Sequence, residues 1–120
     1  MAWILVIEDE KPNRLVVGEL LKAQGHTVKD AVDGGEGIRL HQDYGFDLII
    51  TDIVMAFKAG LETIEELHAA YPDLKILAMS GHKGGLLEAA LEAGAMAILE
   101  KPFTPEELLR SVEDCLRRDP

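Results

Sequence analysis

Short apolar runs alternate along this chain with longer stretches in which apolar residues return every three or four positions. The runs cover Trp3–Ile7, Thr27–Ala31 and residues 48–51, 76–79 and 97–99. Runs of this length, followed each time by an amphipathic stretch, predict strands of a parallel sheet buried on both faces. The stretches between them predict helices over about 12–24, 36–44, 61–70 and 86–93, and a fifth from Pro105. In the first helix Leu15, Val16, Leu20 and Leu21 are expected on one face, and in the fifth Leu108, Leu109, Val112 and Leu116. Thr27–Ala31 carries Lys29 and Asp30 and is the least apolar run, which suits an exposed edge strand.

Punctuation supports this alternation. Gly25, Gly45 and Gly94 each follow a helical pattern and precede a strand, as left-handed C-terminal caps do. Pro72 closes the third helix instead. Thr104-Pro105-Glu106-Glu107 combines an N-cap threonine, a proline at the first helical position and a capping-box glutamate. Right-handed crossovers between parallel strands place helices on both sheet faces. The expected fold class is therefore α/β: a doubly wound, five-stranded parallel sheet in a three-layer α/β/α arrangement. No internal repeat or linker interrupts it, so residues 1–120 are expected to form a single domain.

Parallel strands end along one edge, where open α/β sheets take their ligands. Glu8 and Asp9 follow the first run, Asp52 the third and Lys101 the fifth. Three carboxylates gathered there repel one another and call for a cation. Lys101 adds a positive charge able to face an anion. A metal, a carboxylate nucleophile and an anion-binding ammonium together point to phosphoryl transfer.

The chain's 120 residues suffice for one core, and 48% hydrophobic content is ordinary for a soluble protein. No apolar run approaches a membrane span and no signal-peptide pattern precedes Trp3, so a cytoplasmic location is the default expectation. A net charge of −10 argues against direct nucleic-acid binding. Cys115 falls on the apolar side of the last helix and reads as core. His26, His41, His68 and His82 lack metal-ligand spacing and are expected at the surface.

Glu8-Asp9, Asp52-Ile-Val-Met55, Ser80-Gly81, Lys101-Pro102-Phe103 and the looser Ala31-Val-Asp-Gly34 occur in an order that resembles the receiver domain of two-component response regulators. The resemblance runs from Ile4 to Leu116. It implies the flavodoxin-like (βα)5 strand order 2-1-3-4-5. It also implies that Asp52 is the phosphoacceptor, served by a sensor histidine kinase or a histidine phosphotransfer protein. Mg2+ would be held by Asp9 and Asp52, by Glu8 through water and by the Val54 carbonyl, while Lys101 and Ser80 meet the phosphoryl oxygens. A cis peptide bond is implied before Pro102. Output would pass from the surface of the fourth and fifth helices and fifth strand to a downstream effector protein, in a signalling role without enzymatic turnover. A phosphorelay shuttle, a phosphate sink and a receiver excised from a longer transcriptional regulator fit the same residues.

Other features depart from that family's pattern. Ile98 stands where many receivers carry a switch aromatic, Ala56 where a proline is common and Ala59 where an acidic residue often precedes glycine. Val54 and His82 would flank the route of water to an acyl phosphate, and an apolar Val54 predicts a phosphoryl group that lasts minutes or longer. Phosphatases of the haloacid dehalogenase type need a second aspartate where this chain has Val54, which argues against turnover. The glycines between Gly81 and Gly85 do not form a Walker pattern.

Overall fold

In a computed structural model that describes residues 1–54, 60–81 and 85–120, the sheet order is β2-β1-β3-β4-β5, and every pairing is parallel. Among the described residues the strands are β1 (Trp3–Ile7), β2 (Thr27–Ala31), β3 (Leu48–Asp52), β4 (Lys75–Ser80) and β5 (Ala97–Glu100). The helices are α1 (Lys11–Ala23), α2 (Gly34–Tyr44), α3 (Gly60–Ala70), α4 (Gly85–Ala93) and α5 (Pro105–Arg117). The expected elements are all present, with ends moved by one or two residues. The departures expected at Ala56, Ala59 and His82 lie outside the described residues.

Alternation along the central strands divides the core into two layers. Ile4, Val6, Leu48, Ile50, Leu77 and Met79 face Val17, Leu21, Leu108, Val112 and Cys115 of α1 and α5. Leu5, Ile7, Ile49, Ile76 and Ala78 face the other way, toward Ile64, Leu67 and Ala90 of α3 and α4. Each fully buried Leu or Ile stabilises the fold by about 1.5–3 kcal/mol. The strands therefore had to read as continuous apolar runs. Edge strand β2 buries only Ala31. Gly37 lets α2 lie close on β1, because a Cβ there would meet Ile7.

The glycine caps are as expected, with positive φ at Gly25, Gly45 and Gly94. Thr104 and Glu107 form the reciprocal capping box of α5, at 3.1 Å and 2.8 Å. Two expectations need correction. The buried residues of α1 are Val17, Gly18 and Leu21, while Leu15 and Val16 are exposed. The face turned to the sheet is the one on which Val17 and Leu21 pack with Ile4 and Val6, and Gly18 lies beside Val28 of β2. His41 is buried rather than at the surface, enclosed by Phe46 and Tyr71, which reach it from the loops before β3 and after α3.

Candidate functional site

Strand register brings the chemistry-bearing residues to one rim. Ile7 pairs with Thr51, so Glu8 lies level with Asp52. Ser80 pairs with Glu100, so Lys101 follows one step beyond. The Lys101 ammonium donates to Glu8 Oε1 at 2.9 Å and to Asp52 Oδ2 at 2.7 Å. The remaining oxygens are also engaged: Asp52 Oδ1 accepts from the Val54 N–H at 3.0 Å and Glu8 Oε2 from the Glu10 N–H at 3.2 Å. Burial is deep, with Glu8 at 0% exposure, Asp52 at 5% and Ser80 at 0%.

Glu8 is no solvated side chain. Every polar atom it carries is bonded. Its N–H donates to the Ala31 carbonyl at 3.0 Å, and its own carbonyl accepts from Arg14 Nη1 at 2.9 Å. Burial pushes the Glu8 carboxyl up against the lowering pull of Lys101, and nearby Asp52 raises it further. Burial also works against the Lys101 ammonium, but its bonds to Asp52 and Glu8 outweigh that and hold its pKa above the ordinary value. The result is one cation shared by two buried carboxylates.

The surrounding backbone is fixed as tightly. The Ser80 carbonyl accepts from the Lys101 N–H at 2.7 Å, and the Lys101–Pro102 bond is cis. The Gly60 N–H donates to the Ile53 carbonyl at 2.9 Å. Any Cβ at Gly60 would run into the Asp52 carbonyl oxygen and Ile53 Cα. Asp9 sits partly exposed at the turn into α1; it is not that helix's N-cap, a position held by Glu10. Val54 is 47% exposed beside Asp52. A cavity of about 480 Å³ opens next to Lys101, walled by Val16, Val17, Met79, Gly81 and Phe103.

Among the described residues no three acidic, imidazole or thiol side chains stand close enough to share an ion. Glu8 and Asp52 instead share the Lys101 ammonium. The donor chemistry nevertheless fits a hard divalent cation: Glu8, Asp9, Asp52 and the Val54 carbonyl offer only oxygen, and exposure at Val54 leaves room for retained water. Arg14 escaped the sequence reading. Its signal was a cation early in a helix, where the dipole disfavours positive charge unless something nearby requires it.

A doubly wound sheet with this acid-and-lysine rim defines a class, and comparison with known proteins agrees with it. Residues 4–113 match the family model described as "Response regulator receiver domain", and the chain belongs to that family. It is 38% identical over 96% of its length to the DNA-binding transcriptional regulator NtrC of Azospirillum brasilense, and covers 24% of that protein. It is 30% identical over 98% of its length to the sensor kinase CckA of Brucella abortus, and covers 13% of that one. The chain thus spans a minor part of both curated relatives. The crystal structure of chemotaxis protein CheY4 from Vibrio cholerae superposes with a TM-score of 0.91 at 30% identity, covering 96% of this chain and 98% of that one. The chain is a receiver domain of the two-component kind, in a family of signalling phosphoacceptors that generally use Mg2+ and interact with histidine kinases and effectors. Among the described residues no helix is long and apolar enough to cross a membrane.

Proposed function

We propose that Asp52 of this chain accepts a phosphoryl group from the phosphohistidine of a sensor histidine kinase or histidine phosphotransfer protein. The observation that carries this reading is the Lys101 ammonium bonded to both Glu8 and Asp52 at the strand ends of a receiver fold. In the transfer an Asp52 carboxylate oxygen attacks phosphorus. The bond from phosphorus to the donor imidazole nitrogen breaks, the nitrogen keeps the electron pair, and a mixed anhydride forms on Asp52.

This chain's residues prepare that step. The Val54 N–H orients Asp52 through Oδ1. Lys101 has two acceptors, so it is free to exchange Asp52 for a phosphoryl oxygen while keeping Glu8. The buried Ser80 hydroxyl supplies a further donor to the new group. Asp9, Asp52, the Val54 carbonyl and, through water, Glu8 would hold Mg2+, which would supply charge neutralisation at the phosphoryl oxygens. Val54 carries no group able to orient an attacking water, which favours a phosphoryl lifetime of minutes or longer. The signal then passes through α4, β5 and α5 to an effector protein. Ile98, partly buried against the Ala78 and Ala90 layer, fills space there without a ring to swing.

Mass spectrometry after incubation with acetyl phosphate and Mg2+ tests the reading. A single phosphoryl group on Asp52 is expected, absent in Asp52→Asn and absent when the metal is chelated. Modification at another residue, or undiminished labelling of Asp52→Asn, overturns it.

A further inference from the structure

Glu8, Asp9 and Glu10 form the turn from β1 into α1, and one side chain from within the helix returns to brace it. Arg14 Nη1 donates to the Glu8 carbonyl at 2.9 Å, while its Nε donates to Asp30 Oδ2 on β2 at 3.2 Å. The Arg14 backbone N–H also closes on the Glu10 carbonyl at 3.0 Å. Its side chain is only 13% exposed. The guanidinium is thus fixed from two directions, and it holds the peptide that joins the two acidic residues.

We propose that Arg14 is a positioning residue for the acidic turn: it sets the direction of the Glu8–Asp9 peptide and so presents Asp9, together with Asp52, to a divalent cation. The proposal rests on the metal-dependent reading of the site given above. Planar fork geometry explains why an arginine serves here, because one guanidinium bonds two acceptors at fixed angles where an ammonium on a flexible stem does not. The bond to the Glu8 carbonyl is the important one, since Glu8 is wholly buried. The Asp30 partner is half exposed and serves mainly to hold the guanidinium in place.

The sign of the effect separates positioning from simple charge. Arg14 is a cation close to a cation site, so on electrostatics alone its removal tightens Mg2+ binding. A positioning role predicts weaker binding instead, by about tenfold or more, as for other residues that orient metal ligands. Calorimetric titration of Mg2+ into the wild-type chain, Arg14→Ala and Arg14→Lys reads this directly, with urea unfolding run in parallel. Both variants are expected to show a raised Kd for Mg2+, with Arg14→Lys between the other two although its charge is unchanged. In acetyl phosphate labelling, the Mg2+ needed for half-maximal rate should rise while the rate at saturating Mg2+ stays close to wild type.

An unchanged or lower Kd in Arg14→Ala overturns the proposal, as does a wild-type Kd in Arg14→Lys. Lower stability with unaltered Mg2+ affinity shows a structural role only, and also overturns it. Should Arg14→Ala fail to fold, the charge-preserving Arg14→Lys decides alone. A wild-type chain that binds no Mg2+ overturns this proposal and the metal-dependent reading together. A wild-type chain that binds Mg2+ and is labelled at Asp52, with variants indistinguishable from it, overturns the positioning role alone.

Discussion

Both ends of the sheet bury a titratable side chain, and they stabilise it in opposite ways. At the carboxyl ends of the strands Glu8 is fully buried, and Lys101 answers its charge at 2.9 Å while also holding Asp52. At the amino ends His41 is buried among aromatic rings, edge-on to Tyr71 at 4.5 Å and stacked on Phe46 at 6.0 Å. Its Nδ1 accepts from the Phe46 N–H at 3.1 Å, and burial lowers its pKa. One end keeps its charges and pairs them; the other keeps its group neutral and packs around it. Pairing can be rearranged by an incoming ion or phosphoryl group without moving the backbone, because Lys101 has two acceptors. A neutral ring locked by a main-chain hydrogen bond offers no such choice. The contrast separates an end suited to chemistry from an end suited to holding the fold.

If that contrast is right, backbone constraint should also be tighter at the carboxyl end. Gly60→Ala places a Cβ against the Asp52 carbonyl and Ile53 Cα, atoms that cannot turn aside. A loss of about 3 kcal/mol is expected in urea unfolding, the upper part of the range for overpacking. Gly45→Ala at the opposite end meets open space and pays only for its φ of 73°, about 1 kcal/mol. Equal losses for the two would show that close approach at Gly60 is not what matters.

Lys101→Met tests the pairing itself. It keeps the stem and removes the one ammonium that, among the described residues, bonds Glu8 and Asp52, and a loss of about 2 kcal/mol is expected at neutral pH. The sign with pH follows from the direction of each shift. The Lys101 pKa is raised, so its contribution is fully present below the ordinary 10.5 and is lost as pH climbs through the higher folded value. The Glu8 pKa is raised too, so its contribution to stability is present below 4.5 and is lost as pH rises through the folded value. Without Lys101 to pull it down, Glu8 ionises at still greater cost. The deficit of Lys101→Met should therefore be small in acid and widen from about pH 4.5 to neutrality. Added Mg2+ should recover more stability in the variant than in the parent. A pH-independent deficit would mean that the stem, not the charge, was responsible.

Legibility followed the same division. The acids and the lysine of the rim were readable because each follows an apolar run, and parallel topology alone brings the ends of such runs together. Glycine and threonine caps were readable because their chemistry is local. That Lys101 would bind Glu8 and Asp52 themselves was not readable, since residues 93 and 49 positions apart meet only through register. Arg14 was hidden for a similar reason: its acceptors are a main-chain carbonyl and a side chain on the neighbouring strand. His41 was misplaced because it sits on a short helix beside Ile38 and Leu40, where spacing does not show that Phe46 and Tyr71 close over it. The face of α1 was misjudged because hydrophobicity favoured Leu15 and Val16, while the helix turns Val17, Gly18 and Leu21 to the sheet.

His41 gives the smallest and most selective effect. Its folded pKa lies below the ordinary 6.5, so its contribution to stability is complete above that pH and is lost as pH falls through the folded value. Protonation would place a hydrogen on Nδ1 where the Phe46 N–H already points, and would put charge against the rings of Phe46 and Tyr71. The wild-type melting temperature should therefore fall from about pH 7.5 to about pH 5. Asparagine at this position offers a carbonyl oxygen near the place of Nδ1 and does not titrate in this range. His41→Asn should be less stable throughout, by about 1 kcal/mol for the lost ring contacts, yet show a flatter profile over the same interval. Other titrating groups contribute equally to both profiles, so the difference in slope isolates His41. Parallel profiles would mean that His41 accommodates a proton in the folded state. The amino end would then be a second place where this chain tolerates buried charge, and the contrast between the two ends would be one of degree.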